Sequence, residues 1–141
     1  SDPLKKMSKS DQEDSFVALM DSPEVIARKF RRAVTDSETE IRYDPENKPG
    51  VSNLLTILSV LGGEDMESLV SRLAGRGYGV LKQEAAEVTI EAFKPIQQRF
   101  RELISDKNYM AKTLQNNAER ARALADRTLR KVYKKLGLYQ P

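Results

Sequence analysis

From about residue 23 onward, apolar residues recur at intervals of three and four, which is the spacing of one helix face and not the alternation of a strand. Ser22 followed by Pro23 is typical of a helix start, because serine can cap the first amides and proline at the first position gives up an N–H that has no helical partner. We therefore predict a first helix over residues 23–34. Its apolar stripe comprises Ile26, Phe30, Ala33 and Val34.

Four more segments show helical periodicity. Two short helices are predicted before and after Gly62-Gly63, since glycine accepts the left-handed conformation that ends helices. A long helix is predicted over residues 81–103, bent where Pro95 removes a backbone hydrogen bond. The last helix is predicted from about residue 116 to 136, with an alanine-rich stripe suited to close packing and Gly137 at its end. Because every predicted element is helical, the expected fold class is all-α.

Two segments between these helices are predicted to be irregular. Residues 35–50 are rich in Asp, Glu, Pro and Asn, so we expect a loop with at most a short extended piece at 41–43. Its acidic residues match no calcium-binding pattern and are expected to be solvated, so no metal held by the protein is assigned. The run Gly75–Gly79 matches neither glycine-rich phosphate motif and is predicted to be a turn between helices.

The composition removes several classes of chemistry. The 141 residues include no Cys and no His, which excludes disulfides, Cys/His zinc sites and imidazole bases. The sequence has neither an apolar run long enough to cross a membrane nor a signal peptide, so we expect a cytoplasmic protein without a membrane partner. The length favours a single compact unit.

Positive charge is concentrated near the carboxyl end. The net charge is only +3, yet residues 117–136 carry seven basic and two acidic side chains. A second basic group lies on the polar side of the first predicted helix: Arg28, Lys29, Arg31 and Arg32. A solvated helix face is the ordinary explanation for both groups, and contact with phosphate is the sharper alternative.

The amino-terminal run Lys6-Met7-Ser8-Lys9-Ser10 places two ammonium groups three residues apart among hydroxyl groups. Lysine is a compact, flexible point charge that suits a polyphosphate, and the chemistry that fits is stabilisation of a leaving pyrophosphate. The alternative is a basic, serine-containing terminus without a function, which composition alone favours.

The pentapeptide Lys6–Ser10 resembles the KMSKS signature of class I aminoacyl-tRNA synthetases. Downstream segments resemble bacterial-type tryptophanyl-tRNA synthetases, and the resemblance runs from Asp2 to Leu138. The segments that carry it are residues 33–37, 41–44, 48–55, 77–80 and 94–96.

The resemblance implies a Rossmann-type catalytic domain whose last loop is Lys6–Ser10, followed by a helical bundle that contacts the tRNA anticodon region. Residues 1–20 would then be the loop and junction, and residues 21–141 the helical domain. Lys9 would contact the ATP phosphates, Lys6 would assist, and Met7, Ser8 and Ser10 would complete the loop. The implied partners are tryptophan, ATP with Mg²⁺ and tRNA(Trp). The family enzyme is a homodimer joined largely through its catalytic domain, so this chain alone is expected to be a monomer.

The chain also departs from the family. It opens on Ser1 and lacks the HIGH-type motif, the tryptophan pocket and most of the adenine site, so we expect a carboxy-terminal piece that does not catalyse alone. Two other functions remain open: a stand-alone helical module that binds tRNA or protein, and a purely structural helical bundle.

Overall fold

A computed structural model describes residues 15–139, and no β-strand occurs among them. The prediction of an all-α fold is confirmed. No helix in this described range is long and apolar enough to cross a membrane. The five helices are α1 (Pro23–Arg32), α2 (Pro49–Gly62), α3 (Met66–Leu73), α4 (Gly77–Ser105) and α5 (Lys107–Leu136).

The chain divides into two compact units, residues 1–97 and residues 98–141. The expectation of a single unit from length was wrong. The physical reason is that the buried hydrophobic core lies entirely in the first unit, whereas α5 buries no residue at all. A domain boundary near residue 20 stays a prediction, since it rests on family organisation.

The core of the first unit is built around α2. Four of its five predicted stripe residues are buried together with residues of α1, α3 and α4, whereas the fifth, Leu61, is 39% exposed. Ile41 from the loop after α1 is also buried, although residues 41–43 form no strand. The buried hydrophobic residues are Ile26, Phe30, Ile41, Val51, Leu54, Leu55, Leu58, Leu69, Leu73, Leu81, Ala85 and Ala86.

The start of α2 lies directly against the end of α1. A Cβ built on Gly50 would lie 2.1 Å from the carbonyl oxygen of Val34, so only glycine fits this close backbone approach. Pro49 occupies the first turn, where its missing N–H costs no helical hydrogen bond. The ends of the loop over residues 35–49 therefore meet at its base.

Three helix termini follow the predicted signals. Ser22 caps α1, with its Oγ accepting a hydrogen bond from the amide of Val25 at 3.4 Å. Gly63 and Gly137 end α2 and α5 in the left-handed conformation, with φ of +74° and +66°.

Two boundaries differ from prediction. Gly77 and Gly79 belong to α4, so the turn is shorter than the glycine run; only Gly75 and Gly77 have positive φ within it. α5 begins at Lys107, not near residue 116, because Asp106 caps it by accepting from the amide of Tyr109 at 2.8 Å. The alanine-rich stripe of α5, which would permit close packing, is exposed, since α5 has no buried residue.

Candidate functional site

The residues of the predicted phosphate loop lie outside the described range. They are Lys6, Met7, Ser8, Lys9 and Ser10, and their roles stay predictions. The described range begins at residue 15, five positions after Ser10. It therefore covers the segment that joins this loop to the helices, residues 16–21.

Asp21 holds the joining segment to α1. One oxygen of its carboxylate, Oδ2, accepts hydrogen bonds from the amide of Ala18 at 2.9 Å and from the Lys29 ammonium at 2.7 Å. The Lys29 side chain is only 3% exposed, and its Nζ lies 5.1 Å from the centroid of the Phe16 ring. A charge-assisted hydrogen bond and a cation–π contact thus meet at one buried ammonium group.

The burial of Lys29 corrects an expectation. The sequence placed it with Arg28, Arg31 and Arg32 on a solvated or phosphate-binding face. In the structure Arg28 and Arg31 are exposed, but Lys29 faces inward, one position before the buried Phe30. Hydropathy cannot predict the burial of Lys29, because a buried lysine is stable only when it is paired with an acid, here Asp21.

Gln97 holds the same segment to α4. Its side-chain amide Nε2 donates to the carbonyl oxygen of Leu19 at 2.8 Å and to that of Asp21 at 3.0 Å. Gln97 is 6% exposed, in the helical turn after Pro95. We call Asp21, Lys29 and Gln97 the Asp21 clasp. Together they attach residues 16–21 to two helices that are far apart in the sequence.

A second buried polar group ties the acidic loop to the core. The Lys48 ammonium, 1% exposed, lies 3.1 Å from Asp36 Oδ1, 2.6 Å from Glu38 Oε2 and 2.8 Å from the Tyr78 hydroxyl. The Tyr78 hydroxyl donates to Asp36 Oδ1 at 2.6 Å. We call Asp36, Glu38, Lys48 and Tyr78 the Lys48 cluster.

The protonation states of the Lys48 cluster follow from these contacts. Burial alone would raise the pKa of Asp36, but hydrogen bonds from Tyr78 and Lys48 outweigh it and lower that pKa to about 2. Burial alone would lower the pKa of Lys48, but hydrogen bonds with Glu38, Tyr78 and Asp36 outweigh it and raise that pKa. Lys48 is therefore a cation and Asp36 an anion at neutral pH.

The Lys48 cluster corrects the expectation of solvated loop acids for Asp36, whereas Glu38 and Glu40 are 57% and 67% exposed. Asp36 is only 23% exposed, and its Oδ2 is buried without a hydrogen-bond partner among the described residues. Lys48 contacts each of the other three members and Tyr78 also bonds Asp36, so the cluster links the loop to α4. The cluster has a structural role, because the Lys48 ammonium and the Tyr78 hydroxyl are already hydrogen-bonded within it.

The sequence contains one signal for the Lys48 cluster, namely the segments that carry the family resemblance. Asp36, Lys48 and Tyr78 each lie in one of the short segments that carry the family resemblance, residues 33–37, 48–55 and 77–80. Asp21 and Gln97 had no such signal, since a single Asp and a single Gln are ordinary surface residues.

The last helix presents its basic residues to solvent. All seven basic side chains between residues 117 and 136 are exposed. Four of them share one face by their spacing of seven, four and three: Arg120, Arg127, Lys131 and Lys134. A basic face on a helix with no buried residue suits contact with phosphates along a nucleic-acid backbone.

Comparison with known proteins agrees with these features. The family model described as tRNA synthetases class I (W and Y) matches residues 1–94, which is more than half of the chain. The tryptophan–tRNA ligase of Bacillus subtilis is 47% identical over 138 residues, covering 97% of this chain and 42% of that protein. The tryptophan–tRNA ligase of Mycobacterium leprae is 48% identical over 137 residues, covering 96% and 40%.

A solved structure supports the same relationship. The crystal structure of tryptophanyl-tRNA synthetase from Mycoplasma pneumoniae aligns with a TM-score of 0.75 and 34% identity, covering 99% of this chain and 44% of that one. The chain thus spans about two fifths of the length of the curated relatives it matches. It is similar to the carboxy-terminal region of tryptophanyl-tRNA synthetases, and it belongs to the family of tRNA synthetases class I (W and Y).

Proposed function

We propose that this chain is the carboxy-terminal part of a tryptophan–tRNA ligase. The complete enzyme activates tryptophan with Mg-ATP, giving tryptophanyl-adenylate and pyrophosphate, and then transfers the tryptophanyl group to the 3′ end of tRNA(Trp). The observation that carries this proposal is 47% identity to a tryptophan–tRNA ligase over 97% of the chain. Since the chain spans only 42% of that relative, the activity is proposed for the complete protein.

The proposed contribution of this chain to activation is the segment Lys6–Ser10. Lys9 contacts the ATP phosphates in the transition state, Lys6 assists, and Met7, Ser8 and Ser10 set the backbone of the loop. Positive charge at this point favours the reaction because negative charge accumulates on the departing pyrophosphate. Residues 1–20 accordingly belong with the catalytic domain, and residues 21–141 form the helical tRNA-binding part.

The isolated chain is expected not to activate tryptophan, since the rest of the nucleotide site and the tryptophan pocket are not in its sequence. Tryptophan-dependent ATP–pyrophosphate exchange by the pure chain should equal that of its Lys9→Ala variant. Exchange clearly above that variant would contradict the assignment of these sites to the remainder of the enzyme.

The proposed contribution to tRNA binding is the basic face of α5, comprising Arg120, Arg127, Lys131 and Lys134. Such contacts position the RNA without reading its sequence, and each one releases counterions, so affinity falls as salt rises. A triple Arg127→Gln, Lys131→Gln, Lys134→Gln variant should bind tRNA(Trp) more weakly. Its slope of log affinity against log salt should be smaller by roughly two to three.

A matched control neutralises basic residues that already pair with an acid. Lys94 pairs with Glu91, and Arg99 with Glu102 at 3.2 Å, on α4. A Lys94→Gln, Arg99→Gln variant should keep most of the affinity and nearly the same salt slope, measured by fluorescence anisotropy with labelled tRNA(Trp). If the two variants lost equal affinity for each charge removed, overall charge would explain the binding, and a specific role for the α5 face would be contradicted.

Assembly and location follow from the same proposal. The complete enzyme is a cytoplasmic homodimer joined through its catalytic domain, and the isolated chain is a monomer. Light scattering after size-exclusion chromatography should give a mass near 16.0 kDa for the chain. A stable mass of twice that value would place dimer contacts in this part of the protein.

A further inference from the structure

The Asp21 clasp fixes the chain shortly after the predicted phosphate loop. Phe16 lies six residues after Ser10 in the sequence. Six extended residues span at most about 21 Å, so the point at which Phe16 is held limits where Ser10 can reach. Everything that holds residues 16–21 therefore also sets the base from which Lys6–Ser10 extends.

The clasp is built from directional polar contacts. Asp21 Oδ2 accepts hydrogen bonds from the Ala18 amide and from the buried Lys29 ammonium. The Gln97 amide donates to the backbone carbonyls of Leu19 and Asp21. Apolar packing alone, such as that of Val17 against the core, would tolerate sliding. Hydrogen bonds to two carbonyls and one carboxylate fix the turn at residues 18–21 in one position.

We propose that Asp21, Lys29 and Gln97 are positioning residues for ATP-dependent activation of tryptophan. They hold residues 16–21 against α1 and α4, and the Lys6–Ser10 segment extends from this fixed base towards the ATP phosphates. This inference rests on the proposed function. Displacement of a reacting group by about 1 Å can cost on the order of a hundredfold in rate. Six residues separate Phe16 from Ser10, so only part of that loss is expected when residues 16–21 shift.

The test uses a complete ligase in which this sequence replaces the matching carboxy-terminal region of the Bacillus subtilis enzyme. Gln97→Met keeps the length of the side chain and removes both donors, and Lys29→Met removes the ammonium. Each should lower kcat for ATP–pyrophosphate exchange by about tenfold or more. KM for tryptophan and affinity for tRNA(Trp) should stay within about twofold, since neither ligand touches the clasp on this proposal.

Arg72→Met is the matched control for general destabilisation. Arg72 bonds Glu64 at 3.0 Å and Glu84 at 2.6 Å, and all three residues belong to the same compact unit as the clasp. It should lower Tm while kcat per active site, determined by active-site titration, stays unchanged. If Gln97→Met lowers Tm as Arg72→Met does and leaves kcat unchanged, the clasp is merely structural.

A double variant separates the two roles further. Asp21→Asn combined with Lys29→Met removes both charges, so no buried charge is left unpaired and Tm should recover relative to Lys29→Met alone. If the clasp positions the loop, kcat stays low in the double variant. Recovery of both Tm and kcat would overturn the proposal.

Hydrogen exchange on the isolated chain keeps this test separate from the proposed function. The amides of residues 16–21 should exchange faster in Gln97→Met than in Arg72→Met, and equal rates would overturn the clasp regardless of activity. A chimaera with no tryptophan-dependent exchange before any substitution would instead contradict the proposed function.

Discussion

The hydroxyl of Tyr78 connects the members of the Lys48 cluster, and a Tyr78→Phe substitution removes it while keeping the ring. The hydroxyl bonds Asp36 Oδ1 at 2.6 Å and Lys48 Nζ at 2.8 Å. Each hydrogen bond to a charged group contributes about 1.5–3 kcal/mol. Because Lys48 and Asp36 keep their direct contact at 3.1 Å, the two losses overlap. We expect the free energy of unfolding to fall by about 2–3 kcal/mol.

The assay is urea unfolding followed by circular dichroism, with a thermal scan beside it. For a compact unit of this size the expected loss corresponds to a fall in Tm of roughly 8–24 °C, at an unchanged m-value. Tyr43→Phe is the control, since Tyr43 is 47% exposed and its substitution should change stability by less than about 0.5 kcal/mol. A loss of similar size in both variants would refute the assignment of the effect to the cluster.

The same substitution should change the response to acid. The pKa of Asp36 is about 2 in the folded chain against an ordinary value of 3.8, so the folded state binds fewer protons than the unfolded state. The stability from Asp36 is thus present above pH 3.8 and is lost as the pH falls towards 2. Tyr78→Phe removes part of this lowering, so the two chains should differ most at neutral pH and converge below about pH 4. An equal difference at about pH 7 and pH 3 would contradict this reasoning.

Two further predictions concern the backbone. Gly50→Ala should destabilise the chain by about 1–3 kcal/mol, because the new methyl group would meet the carbonyl oxygen of Val34. The control is Gly79→Ala in α4, where a Cβ meets no atom within 4 Å. In chemical denaturation this variant should be as stable as the parent chain or more stable. A loss of stability as large as that of Gly50→Ala would contradict the importance of the close approach at Gly50. Asp106→Ala should lower helicity in the first turn of α5 at a cost of about 1 kcal/mol, since the amide of Tyr109 loses its cap, and unchanged exchange of that amide would show the cap to be unimportant.

Hydrophobic spacing predicted the helices of the first unit well because their stripes are also their core. The predicted helix over residues 23–34 ends at Arg32, and the predicted stripe of α2 is buried at Val51, Leu54, Leu55 and Leu58. The predicted start of α5, near residue 116, was wrong by nine residues, since α5 begins at Lys107. There the sequence signal was Asp106 itself, an N-cap that could have been used.

The polar interior was beyond pattern reasoning for a different reason. A buried Lys29 or Lys48 is defined by its partner, and the partner's position depends on the whole fold. Asp21 lies eight residues from Lys29, but Tyr78 lies thirty residues from Lys48. The phosphate loop is the reverse case: Lys6–Ser10 was recognised as a string, its geometry lies outside the described residues, and its role stays a prediction.

The contact between Gly50 and the Val34 carbonyl has a consequence for how the sequence can change in length. The loop over residues 35–49 leaves and returns at nearly one point, and residues 37–40 on it are exposed. Residues inserted next to Thr39 lengthen a loop that is already closed, and even a doubling of loop length adds only about 0.6 kcal/mol of closure entropy. Relatives of this chain can therefore gain or lose residues there while α1 and α2 keep their spacing.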